Sequence, residues 1–181
     1  LDASKKLIDK FVTFWSSSRY IGNMEAFGSF YRIYKKPLFN YLMRMTGDYH
    51  LASDIMQESF TRFLERYAHK PPNTALLYTI ARNIFLDHFR HQGHRACFAE
   101  DPIDSSTSQE DGLMVKQEYR RVLAALQGLK TDERDILALA ISDGISYRDI
   151  ASIAGISIEN VKVKVHRARH KLKKILQRGD Q

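Results

Sequence analysis

The stretch from Ser142 to Ile175, SDGISYRDIASIAGISIENVKVKVHRARHKLKKI, constrains the chain more than any other. Ser146 with Asp149 three residues later has the spacing of a capping box, in which side chain and backbone satisfy each other's orphan N–H groups. Tyr147, Ile150, Ala151 and Ile153 follow as a short apolar stripe. Gly155 interrupts it where a turn needs positive-φ backbone, and Ser157 stands where a second helix needs a cap. Along that helix Val161, Val165, Ala168 and Leu172 recur at spacings of three and four, so they share a face. Lys162, Lys164, His166, Arg167, Arg169, His170, Lys171, Lys173 and Lys174 fill the remainder. A short helix, a glycine turn and a cationic second helix make a helix-turn-helix of the kind that enters the DNA major groove.

Between Lys162 and Arg178 there are eight Lys and Arg residues and no acidic one. A merely solvated helix favours cations in its last turn only; here they begin in the first turns, which suits phosphate contacts. In this geometry the N-terminal part of the second helix reaches base edges. That selects Glu159, Asn160, Lys162, Val163, His166 and Arg167, with Glu able to accept from cytosine, Lys and Arg able to donate to guanine, and Val163 able to touch a thymine methyl. Arg169 and Lys171 extend the basic face, and Ser146, Tyr147 and Arg148 are candidates for phosphate at the start of the first helix. Val161 and Val165 are assigned to the core.

The remainder of the chain reads as helices punctuated by breakers. Residues 1–22 carry Leu7, Phe11 and Phe14 on one side, with Gly22 expected to end the helix. Phe27, Phe30, Tyr31, Tyr34, Leu38, Tyr41, Leu42 and Met45 keep helical periods over 24–46, with Pro37 expected to kink one helix or start another. Leu51, Ile55, Met56, Phe60, Phe63 and Leu64 form the stripe of a helix over 49–68. Lys70-Pro71-Pro72-Asn73 is a hard break, and Leu77, Ile80, Ala81, Ile84, Phe85 and Phe89 define a further helix over 74–91. From Gly93 to Gly112 the sequence is polar, with five acidic residues and no sustained apolar period, which predicts a flexible linker. Helices resume over 113–128 and after Thr131, expected to be an N-cap, with Ile136, Leu137, Ala140 and Ile141 facing inward. The expected fold is all-α: an N-terminal extension over 1–23, a helical domain over 24–92, a linker over 93–112, and a four-helix domain containing the helix-turn-helix over 113–181.

Composition narrows the function. Among 181 residues, 28 basic and 21 acidic side chains leave a net charge of +7, which favours a polyanionic partner. The single cysteine, Cys97, permits no internal disulfide and no zinc ribbon. LDASKKLIDKF lacks the apolar core of a secretory signal, and no run of about 18 apolar residues suggests membrane insertion; the cytoplasm is the expected compartment. The seven histidines are scattered. His88 and His91 have no carboxylate or cysteine set to close a metal site, and His94 with Cys97 makes only half of one. With no phosphate-binding glycine loop and no nucleophile elbow, no cofactor is expected and an enzyme is disfavoured. A helical adaptor fits poorly, because protein interfaces are depleted in Lys at their centres. A stand-alone helix-turn-helix regulator, binding duplex DNA by itself, is the alternative function.

GDYHLASDIMQESFTRFLERY and LLYTIARNIFLDHFR, followed by ISYRDIASIAGISIENVKVKVHRARHKL, together resemble the two defining regions of bacterial RNA polymerase sigma factors of the extracytoplasmic-function class, within the sigma-70 family. The resemblance spans about residues 24–91 and 113–176. It implies a protein that binds core RNA polymerase, directs it to promoters and assists melting, with any bond making left to the polymerase. It further implies that Asp54, Gln57 and Glu58 face the polymerase clamp, and that the loop 68–74 with the following helix reads the minus-ten element. Lys70, Asn73, Arg82, Asn83 and Arg90 are the residues implied there, with Arg82 and Arg90 on phosphates; Asp87 and His91 also fit the motif. The helix-turn-helix would read the minus-35 element. The sequence departs from the family pattern at Asn160, Val163 and Lys164, where Thr and Ser-Arg are usual, and lacks the Trp often found near Leu76. An anti-sigma protein is the expected regulatory partner.

Overall fold

Several helices start and stop where local chemistry supplies the missing backbone partners. The computed structural model describes residues 21–67, 70–92 and 109–178, with side chains over 26–67, 70–90 and 117–178. Among the described residues there are seven helices and no strand: α1 (Ile21–Thr46), α2 (Tyr49–Tyr67), α3 (Thr74–Gln92), α4 (Gln109–Gln127), α5 (Thr131–Ala140), α6 (Tyr147–Ala154) and α7 (Ile158–Arg178). The α1–α2 turn pivots on Gly47 at φ 68°, whose N–H donates to the Met43 carbonyl at 2.9 Å. Asp48 Oδ1 then accepts from the Leu51 N–H at 3.0 Å and caps α2. Asn73 does the same for α3, accepting from the Leu76 N–H at 3.0 Å.

α1, α2 and α3 close around an aromatic cluster. The Phe63 ring stacks against Phe30 at 5.4 Å and Phe27 at 6.4 Å, and Phe60 meets Phe27 and Phe30 edge-on. Edge-on and offset ring pairs add to area burial. Leu38, Tyr41, Leu42, Leu77 and Tyr78 are buried beneath them. In the second group, α5 is buried continuously from Arg134 to Leu139, on every side of the helix. It achieves this by packing against α7, α6 and α4 and also against α1 of the first group. α1 meets α4 as well, and α3 meets α6, so one continuous apolar core runs through both groups.

Several expectations from the sequence are corrected. Pro37 is not among them: of the two outcomes expected there, the chain takes the single helix. The lost N–H bond frees the carbonyl of residue 33, and Ile33 is exposed, so water can take the vacated acceptor. Gly22 lies inside α1 instead of ending an earlier helix. α4 begins at Gln109, inside the stretch assigned to the linker. The cap of α5 is Lys130, with no side-chain hydrogen bond, and Thr131 is already helical; the buried Leu129 next to it fixes where the turn ends. Ile141 is exposed because α5 stops at Ala140, which takes Ile141 out of the helical period. The expected helix over 1–20, most of the linker, His94 and Cys97 lie outside the described residues.

Candidate nucleic-acid interface

The helix-turn-helix is built by its caps. The Ser146 hydroxyl accepts from the Asp149 N–H at 3.2 Å while the Asp149 carboxylate accepts from the Ser146 N–H at 2.9 Å, completing the capping box. Gly155 ends α6 in the left-handed region, φ 67° and ψ 35°, with its N–H on the Ala151 carbonyl. Ser157 then accepts from the Asn160 N–H at 3.2 Å and starts α7. Val161, Val165 and Ala168 are buried, which fixes the rotation of α7 about its axis.

That rotation leaves Glu159, Asn160, Lys162, Val163, His166, Arg167 and Arg169 exposed on the outward side. Val163 is 46% exposed, between Lys162 and Lys164 in the sequence. The Glu159 carboxyl is held below its usual range by its own N–H at the helix start and by the Ser157 hydroxyl, so it presents a fixed negative acceptor. Lys164 and Lys171 behave differently. Lys164 pairs with Asp132 at 3.1 Å and Lys171 with Glu133, both on α5. Lys171 therefore stands at the edge of the basic face, tied inward. Arg148 is exposed, whereas Tyr147 is partly buried against the core and Ser146 is occupied by its box.

In the first group, Asp54, Gln57 and Glu58 fall at spacings of three and four, so they share one side of α2. Asp54 and Glu58 are exposed; Glu58 pairs with Arg62 at 2.6 Å and Gln57 donates to Ser53 at 3.3 Å. Lys70 is exposed, its ammonium 5.9 Å from the Tyr67 ring centroid. Asn73 spends its carbonyl on the α3 cap. Asn83 is exposed, and Arg90 pairs with Asp87 at 3.0 Å with both side chains largely in solvent. The side chain of His91 lies outside the described residues.

Arg82 departs from the expectation. Its Nε lies 2.6 Å from Oδ2 of Asp135, a residue of α5 that is 2% exposed, and the Tyr41 hydroxyl donates to the other oxygen at 2.8 Å. Burial, then the neighbouring Asp135 charge, pushes the Tyr41 hydroxyl pKa well above its usual value, so it stays a donor. Sequence reasoning passed over Asp135 and Tyr41 as partners. The available signal was Asp135 itself, an acid in phase with Ala138, Leu139 and Ser142 on an otherwise inward face.

Among the described residues no group of three or more His, Cys, Asp or Glu gathers as a metal site, and no helix is long and apolar enough to cross a membrane. The family models for sigma-70 region 2 and sigma-70 region 4 match residues 30–95 and 119–172. Among curated relatives, the ECF RNA polymerase sigma factor EcfG of Rhodopseudomonas palustris is 30% identical over 75% of this chain and 77% of its own length. The ECF RNA polymerase sigma factor SigM of Bacillus subtilis is 30% identical over 82% and 94%. The chain belongs to the ECF sigma factors of the sigma-70 family. Solved structures share the sigma-factor fold: RpoE, crystallised with the anti-sigma factor NepR from Bartonella quintana, aligns with a TM-score of 0.69 at 23% identity, over 83% of this chain and 96% of that one. CnrH, in complex with the cytosolic domain of CnrY, aligns at 0.64 and 22%, over 86% and 90%. In this sigma factor the region 4 match covers the capping box, the Gly155 turn and most of α7, while the region 2 match contains both the α2 acidic side and Arg82.

Proposed function

We propose that this ECF sigma factor binds core RNA polymerase in the cytoplasm, directs it to promoters and assists their melting. The observation that carries the reading is the joint match of regions 2 and 4 on one chain, together with an outward α7 surface whose base-reaching side chains are exposed. A region 4 helix-turn-helix alone would equally suit the stand-alone regulator; the region 2 half has no role in that alternative.

The α2 side bearing Asp54, Gln57 and Glu58 is the polymerase-facing surface in this reading. Lys70, Asn73, Asn83 and Arg90, with Arg82 once released from Asp135, engage the minus-ten element. Backbone and stacking contacts to a single strand are sequence-tolerant, so Lys70 beside Tyr67 is suited to guiding the strand. Glu159, Asn160, Lys162, Val163, His166 and Arg167 read the minus-35 element, with Arg148 and Arg169 on phosphates. The units over 24–92 and 113–181 act as separate recognition modules. An anti-sigma protein is the proposed inhibitor, by analogy with the partners of the structural neighbours.

The test is transcription from a genomic fragment library by core polymerase with and without the protein, followed by sequencing of the starts. Starts sharing two spaced upstream elements are expected. Random end-initiation, with no polymerase bound, would return the chain to the stand-alone alternative.

A further inference from the structure

We propose that Asp135 is an intramolecular competitor for promoter DNA, latching the free chain in a closed form in which Arg82 is withheld from the strand. The proposal rests on the reading of Arg82 as a strand contact. Both oxygens of this buried carboxylate are taken by the other helical group, one by Tyr41 of α1 and one by Arg82 of α3. A guanidinium accepts a carboxylate and a phosphate with the same donor fork, so Asp135 occupies the place a backbone phosphate would take. The latch is polar at its centre. On opening, the carboxylate and the guanidinium regain water, which offsets part of the loss of their contact. The apolar surface shared by the two groups opposes opening, and the polar centre lowers that opposition.

Scale requires the opening. The two promoter elements, as their names state, lie about 25 base pairs apart, or about 85 Å at the rise of a duplex. A compact chain of 181 residues has a radius of gyration of about 16 Å. The closed form, with α1 on α4 and α5 and α3 on α6, cannot touch both elements. Gln127 donating to the Arg44 carbonyl at 3.1 Å closes the same interface at a second point. Its partners include no candidate DNA contact, whereas the Asp135 contact couples closure to loss of a strand-binding group.

The experiment uses the full chain carrying Cys97→Ser, labelled for energy transfer at Glu65→Cys on α2 and Lys174→Cys on α7. In the free protein Asp135→Asn is expected to lower transfer towards the value of the polymerase-bound form. Apparent affinity scales with the competent fraction, so binding of a single-stranded minus-ten oligonucleotide should rise at least tenfold. Arg82→Gln should open the chain equally while weakening that binding. Unchanged transfer in Asp135→Asn with helicity retained overturns the latch. Should Asp135→Asn lose helicity, Arg82→Gln carries the same test, and unchanged transfer there overturns it. An opened Asp135→Asn chain with no gain in oligonucleotide binding overturns the competitor role. Failure of the function reading would look different: wild type would neither bind polymerase nor support promoter starts.

Discussion

Lys164 Nζ lies 3.1 Å from Asp132 Oδ2, which ties the second turn of α7 to the first turn of α5. The hydrogen bond from Lys164 holds the Asp132 carboxyl below its usual range. A depressed carboxylate contributes stability that is present above its unfolded value, near pH 4, and is lost as pH falls through the folded value. Both side chains are substantially exposed, so the pair contributes about 0.5 kcal/mol or less. Asp132→Asn should leave the thermal midpoint at pH 7 within about a degree or two of wild type, and the difference should shrink as pH falls below the unfolded carboxylate value and through the lower folded one. Calorimetry at several pH values checks both the size and the sign.

Leu42 is fully buried in the core of the first group. Leu42→Ala removes that packing and leaves a cavity, at a cost of about 2–5 kcal/mol. Because one apolar core joins both groups, urea unfolding should show both halves losing stability in one transition. Two transitions, with only one displaced, would mean the halves unfold independently.

Gly155 sits at φ 67° with open space around the position a Cβ would take. Gly155→Ala therefore tests backbone strain without a steric clash, and should cost about 1–2 kcal/mol. Ser146→Ala, which breaks the capping box, should cost about 1 kcal/mol at the opposite end of α6. Denaturant midpoints of the two variants give the comparison.

Arg167 is exposed on the outward side of α7, and Lys171 is drawn to Glu133. Arg167→Ala should weaken promoter binding by the polymerase complex about tenfold and alter base preference at one position of the upstream element. Lys171→Ala should have a smaller effect, reduce the salt slope by less than one and leave preference intact. Binding isotherms at several salt concentrations separate the two behaviours.

The helices were legible because most of their apolar residues recur at spacings of three and four, and the caps were legible because Ser146, Asp149, Gly155 and Ser157 act on neighbours a few residues away. The outward face of α7 followed from the same arithmetic once Val161, Val165 and Ala168 were assigned inward. Ile141 was misread because the outcome depended on the exact stop of a helix, and the choice between the two outcomes at Pro37 depended on solvent access. The contacts of Arg82 were not legible. Its partner stands 53 positions away and Tyr41 lies 94 positions from Asp135, and pairings over such distances are decided by how the two helical groups dock.

α5 is covered on all sides, and part of its cover comes from α1. During synthesis the amino-terminal half emerges first, while the rest is still inside the ribosome. At that moment the Tyr41 hydroxyl lacks its Asp135 partner and the side of α1 that α5 will cover is open. A nascent chain short of residue 140 thus displays a sticky surface with a polar spot at its centre. That surface is open to chaperones until the tenth residue of α5 has cleared the exit tunnel.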